Sequence, residues 1–242
     1  MTKHSSEKRK IRELLDKTYT DSVRWNLKTL ALKEGKTRCI SFLNAHAVTM
    51  AYDRKDFSSS LIQFDYLLRD GVGVKIALSA FGHPKTENLN GTDLLPRILT
   101  HFSDKNIALW GATEDVMNTC KSKLKNASIE NIFSLEHGFH DPDYYLELAQ
   151  NTKQTIIVLC MGMPKQELLA KKLTEKSLCQ LVICAGGWAD FYSETKKRAP
   201  EWICKLSLEW VHRLIKEPKR LGKRYTFGVL YFFYVIIKVR LA

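Results

Sequence analysis

No apolar run in this chain is long enough to cross a bilayer: the longest, FGVLYFFYVII at residues 227–237, has eleven residues where about 20 are required. Such a run suits burial at a membrane interface better than spanning. A signal peptide's apolar segment is missing too, since MTKHSSEKRKIRELLDK is polar and charged; this predicts a frayed or loosely helical start and a core on the cytosolic side. The six cysteines, Cys39, Cys120, Cys160, Cys179, Cys184 and Cys204, form no CxxC. They read as reduced thiols packed as small hydrophobes. The seven histidines include no HExxH, and His46 and His137 are expected in structural or solvated roles. Neither GxGxxG nor a GKS/T loop is present, which leaves no support for a nicotinamide site or a nucleoside triphosphatase. The only DxD, Asp141-Pro142-Asp143, reads as a helix N-cap. Nothing in the pattern calls for a metal or a cofactor.

What is present is charge in one place. The chain carries a formal net charge of +12, and residues 196–242 hold twelve Lys/Arg against three Glu. Residues 41–195 hold 15 basic and 18 acidic side chains, so the centre of the chain is no polyanion-binding surface. A length of 242 residues suits one α/β core with an appendage. We place an N-terminal helical or flexible segment at 1–38, the core at 39–195 and a basic appendage at 196–242.

Four apolar runs, RCISFL, NIALWG, TIIVLC and QLVIC, are each followed by a turn and helical patterning, which predicts an α/β fold with a parallel sheet. Between the first two, helices are expected around residues 58–69 and 92–101. Ligands in such sheets gather beyond the carboxyl ends of the strands. Asn44, Gly111, Gly162, Gly186 and Gly187 fall there, with Asp190 in the turn beyond. Asp70, in LLRDGVGV, is either a turn residue beside glycine or a carboxylate able to act as a general base. Gly71 and Gly73 after it would let backbone approach a ligand. In MGMPKQE, Pro164 starts a helix whose first turn holds Lys165, Gln166 and Glu167. Glu167 complements the helix dipole, whereas Lys165 opposes it and so suggests a ligand.

In the tail, Trp202, Leu206, Trp210 and Leu214 recur every fourth residue, an apolar helical stripe that ends before Pro218. Arg213, Arg220 and Arg224 share one face if that helix continues. Guanidinium groups followed by Tyr231, Phe232, Phe233 and Tyr234 favour anionic lipid over a merely solvated face. Nucleic acid is disfavoured by the apolar continuity of the last run.

Taken in order, LNAHAV, RDGVGV, LNGTDLL, WGATEDV, GFH, GMPKQE, GGWADF, KRAPEW and LEWVHRLIKEPKRLGKRY resemble the WecG/TagA/CpsF family of bacterial glycosyltransferases over residues 39–225. The resemblance implies a Rossmann-like core that moves an N-acetylmannosamine-type sugar, or a related hexose or uronic acid, from a UDP donor with inversion. The implied acceptor is an undecaprenyl-diphosphate-linked sugar used in surface polysaccharide synthesis, met by a protein bound peripherally to the cytoplasmic face of the membrane. It carries the general base to Asp70, substrate contacts to Asn44 and Gln166, and lipid-diphosphate or membrane contacts to Arg213, Arg220 and Lys223 or Arg224; Arg198, in KRAPEW, is a further candidate substrate contact. Phe42 stands where the family commonly has threonine, ENLNGTDL offers Asn88 where the family often has arginine shortly before its GxDL motif, and Glu194 or a neighbour replaces a usual glycine. A non-catalytic lipid-binding or assembly protein on a degenerate transferase fold is the alternative. Self-association of the free protein is a further expectation.

Overall fold

The computed structural model describes residues 3–22 and 25–241, without the side chains of residues 3–5, Thr29, Arg220, Lys223 and Arg224. Helices and strands alternate: α1 (Lys3–Lys17), β1 (Arg38–Leu43), α2 (Ala45–Asp53), α3 (Lys55–Gln63), β2 (Tyr66–Arg69), α4 (Gly71–Ala80), α5 (Gly91–His101) and β3 (Ile107–Gly111). Then come α6 (Glu114–Asn126), β4 (Ile132–Glu136), α7 (Pro142–Asn151), β5 (Ile156–Cys160), α8 (Lys165–Glu175), β6 (Leu181–Cys184) and α9 (Trp188–Tyr192). The tail forms α10 (Glu201–Lys205), α11 (Glu209–Lys216), α12 (Pro218–Tyr225) and α13 (Phe227–Arg240).

The six strands form one parallel sheet in the order β2-β1-β6-β5-β3-β4. Both faces are covered, which is why IIVLC and LVIC read as continuous apolar runs rather than alternating ones. Successive residues still divide between the layers: Ile157 and Leu159 pack with α1–α4, α7, α8 and α13, while Ile156 and Val158 pack with α5, α6 and α9. The chain leaves β3 through α6 on one face and β5 through α8 on the other, and these strands are neighbours. Their carboxyl ends therefore flank a topological switch point, where α/β sheets open a crevice.

The four long apolar runs are strands, as their sequence predicts. Two further strands are not visible that way. YLLR is β2, not the end of a helix over 58–69, because α3 stops at Gln63 and Phe64 turns to extended backbone. IFSLE is β4, an edge strand with Phe133 exposed and only Ile132 buried.

Both ends of the chain are more firmly built in than their composition suggests. The loosely helical start is instead a helix whose Ile11, Leu14 and Leu15, spaced to share one face, are buried in the core. The apolar stripe of the tail is broken, since Ser207 adopts φ +60° between α10 and α11 and leaves Trp202 and Leu206 exposed. A second break at Glu217 separates α11 from α12, so Arg213 and Arg220 do not lie on one continuous helix.

Helix α13 is apolar all round as far as Ile237, with Lys238 and Arg240 in its last turn. One side, Phe232, Val235, Ile236 and Val239, is buried against the core, and Tyr231 donates its hydroxyl to Asp53 at the end of α2. Phe232 reaches the place where Gly73 of α4 meets Ala45 of α2: a Cβ on Gly73 would stand 2.8 Å from the Ala45 Cβ. Gly73 thus permits helix packing rather than ligand approach. The opposite side shows Phe227, Leu230, Tyr234, Ile237 and Leu241 to solvent, at alternating spacings of three and four.

Because Phe232 is 2% exposed, Phe232→Ala is expected to lower unfolding free energy by about 3–5 kcal/mol. Leu230→Ser, on the open side of the same helix, should shift it by only about 0.5 kcal/mol. Denaturant unfolding of the full chain measures both.

Candidate active site

Asp70 follows β2 directly, and its backbone N–H donates to Leu43 O at the end of β1, 2.9 Å away. The next residue, Gly71, has φ +80°, a left-handed turn that favours glycine, and its N–H donates to Asn88 Oδ1 at 2.9 Å. Asn88 therefore secures this turn. Arg69, 4% exposed, braces it from below by donating to the carbonyls of Glu87 and Gly71.

Asn44 caps α2, accepting from Ala47 N–H at 3.0 Å through Oδ1, and its amide group faces the Asp70 carboxylate. From the other side α11 brings Arg213 and Glu209, themselves paired at 2.7 Å. Arg213 also lies over the Phe191 ring of α9, 4.5 Å from its centre. The tail thus folds across the sheet edge over Asp70, which is left half-buried. Burial is the main reason its carboxyl is held above the usual range; Arg213 opposes that rise, Glu209 adds to it, and Asn44 and Arg69 oppose it more weakly. Arg69 and Glu209 are parts of this arrangement that sequence reasoning missed. An arginine ending an apolar strand was the one available signal.

A second group gathers at the start of α8. Gln166 Oε1 accepts from Gly162 N–H at 3.2 Å and from Gly186 N–H at 2.9 Å, and its Nε2 donates to Glu167 Oε1 at 2.8 Å. Lys165 Nζ donates to Gly138 O at 2.9 Å and His140 O at 2.6 Å. A first-turn lysine is explained here by two backbone carbonyls rather than by an external anion. His137 belongs to the same loop, stacked on His140 and accepting from Tyr145 Oη through its carbonyl.

Gly111 has φ +140°, and a Cβ there would fall 2.4 Å from the Cys160 carbonyl carbon. It serves the close approach of β3 to β5. Gly187 precedes α9, and Asp190 lies within that helix rather than in a turn, paired with Lys196 at 2.5 Å. Arg198 forms a two-pronged contact with Asp93, 2.5 and 3.0 Å, which ties the tail to the first turn of α5 and holds the Asp93 carboxyl below its usual range. Of the sequence-predicted residues, Asn44, Asp70 and Arg213 converge on one point, and Gly162, Lys165, Gln166 and Gly186 on another beside it. The side chains of Arg220, Lys223 and Arg224 lie outside the described ones. Among the described residues no three His, Cys, Asp or Glu side chains come together as a metal site would require. All six cysteines are free thiols, and burial pushes Cys120 and Cys179 up to about 12.

The doubly wound parallel sheet, with a half-buried carboxylate at its carboxyl edge, defines an α/β, Rossmann-like protein. The chain belongs to the Glycosyl transferase WecG/TagA/CpsF family, which it matches over residues 14–242. Among its relatives are proteins of Staphylococcus aureus strains MW2 and MRSA252 described as N-acetylglucosaminyldiphosphoundecaprenol N-acetyl-beta-D-mannosaminyltransferase. Each is 26% identical over 220 residues, covering 89% of this chain and 86% of the relative.

The buried Glu167 gives a test of this geometry. Desolvation raises its carboxyl from 4.5 to about 7, against the bonds from Gln166 and its own backbone. The unfolded chain therefore releases this proton first, so Glu167 favours folding below pH 4.5 and loses that contribution as pH rises to about 7. The loss is on the order of 3 kcal/mol. Glu167→Gln should flatten this part of the stability-against-pH curve, measured by urea unfolding from pH 4.5 to 8.

Proposed function

We propose that this glycosyltransferase inverts configuration while moving an N-acetylmannosamine-type sugar from a UDP donor to a polyprenyl-diphosphate-linked acceptor sugar at a membrane surface. The observation that carries the reading is Asp70, a half-buried carboxylate held between the Asn44 amide and Arg213 at the carboxyl edge of the sheet, its carboxyl raised above the usual range by burial. The names of the Staphylococcus aureus relatives supply the acceptor class and the transferred sugar.

In the mechanism, Asp70 takes the proton of an acceptor hydroxyl as that oxygen attacks the anomeric carbon. The bond from that carbon to the donor diphosphate breaks on the opposite face, and UDP leaves with the electron pair. Desolvation favours this role, because a raised carboxyl pKa strengthens the base. Arg213 stands over the same point and offers a guanidinium to a diphosphate, with Arg220, Lys223 and Arg224 on the following helix. No metal is assigned a part.

No helix among the described residues is long and apolar enough to cross a membrane. The membrane contact in this reading is the outer stripe of α13, flanked by Lys238 and Arg240, laid on an anionic surface that contributes about 1 kcal/mol per basic residue. Replacing Leu230 and Ile237 by serine, rather than deleting a helix that also fills the core, should abolish flotation with anionic liposomes while leaving unfolding cooperative.

Incubation of the protein with a series of UDP-sugars and a lipid-diphosphate-linked acceptor tests the reaction. Asp70→Asn should lower kcat by about 10²–10⁴-fold. An Asp70→Asn variant that supports polysaccharide assembly as well as the natural sequence would make the protein a non-catalytic assembly factor. The base must be unprotonated, so activity should rise with pH through a midpoint above 3.8. Arg213→Gln should move that midpoint up and Glu209→Gln should move it down, since the first charge opposes and the second promotes protonation of Asp70.

A further inference from the structure

Glu167 is 0% exposed, and no step above uses it. It ends a run of three residues that reach across the carboxyl edge of the sheet: Lys165 to the loop after β4, Gln166 to the glycines after β5 and β6, and Glu167 toward Ser41 in β1. Gln166 is itself 1% exposed, with both lone pairs of Oε1 occupied by Gly162 and Gly186. A glutamine so enclosed presents no carbonyl to a substrate. Its amide is oriented by Glu167 Oε1, whereas Glu167 Oε2 and Ser41 Oγ lie close without closing a hydrogen bond.

Stability does not account for a carboxylate in this position. Enclosing it costs free energy at neutral pH, and an apolar side chain of similar volume would relieve that cost. We infer that Glu167 is a positioning residue for glycosyl transfer: by holding the Gln166 amide it fixes the Gly162 and Gly186 loops, and so the crevice floor between Asn44 and the switch point, in the form that binds the donor. This rests on the glycosyltransferase reading, with the UDP-sugar as donor.

The test uses the full chain with Glu167→Leu, Glu167→Gln, Gln166→Leu and the Gln166→Leu/Glu167→Leu pair. At pH 8, Glu167→Leu should unfold at or above the temperature of the natural sequence yet raise the donor KM by about ten- to a hundredfold, with kcat changed far less. Glu167→Gln keeps an acceptor oxygen for Gln166 and should restore KM to within about threefold. The pair should be no worse than either leucine variant, because one interaction is removed twice. Amide hydrogen exchange at Gly162 and Gly186 should quicken in Glu167→Leu and recover in Glu167→Gln. An unchanged donor KM in Glu167→Leu, additive losses in the pair, or unchanged exchange at both glycines would overturn the assignment. If the natural sequence transfers sugar from no UDP donor, the functional reading fails; the exchange rates alone then decide whether Glu167 holds the loops.

Discussion

The first turn of α8 has to satisfy polar groups from several strand ends in a half-buried space. Backbone N–H groups enclosed in an interior cost free energy unless paired, and the two glycine loops after β5 and β6 present theirs to one acceptor, Gln166 Oε1. With Lys165 on the β4 side, a single helix start sets the relative height of the strand ends that form the crevice. The helix dipole explains an acidic residue here in general terms. The observed contacts explain why the three residues are Lys, Gln and Glu in that order.

Asp70 depends on the same edge from the other direction. Its backbone is pinned to β1 and its turn to Asn88, and α11 returns across the sheet to set Arg213 and Glu209 beside its side chain. Two elements far apart in the chain therefore make one electrostatic environment. Arg198, bound to Asp93, anchors the segment that leads there. The positive charge concentrated in residues 196–242 is in part committed to these internal contacts, while the exposed stripe of α13 faces outward.

Much of the fold was legible. Strands buried on both faces announce themselves as apolar runs, so β1, β3, β5 and β6 were evident, along with the turns that follow them. β2 was hidden because four residues adjoining a helix carry no periodicity of their own, and β4 because an edge strand keeps only one residue buried. The N-terminal helix looked too polar to pack, yet three apolar residues at helical spacing suffice when a ready-made groove receives them. Motif position singled out Asn44, Asp70 and Arg213, which the fold brings together. It could not say that Lys165 and Arg198 are engaged within the protein, since hydrogen-bond partners 25 to 105 residues away have no trace in local sequence.

The sequence by itself determined the parallel sheet, the family and the places where strands yield to glycine turns, because these follow from local hydrophobic runs and backbone permissiveness. Tertiary structure alone decided that α13 is half core and half surface, that Asp70 lies under α11 beside Arg213 and Glu209, and that Gln166 and Glu167 face inward. Burial and charge proximity are properties of distances between remote residues, and only the folded chain sets those distances.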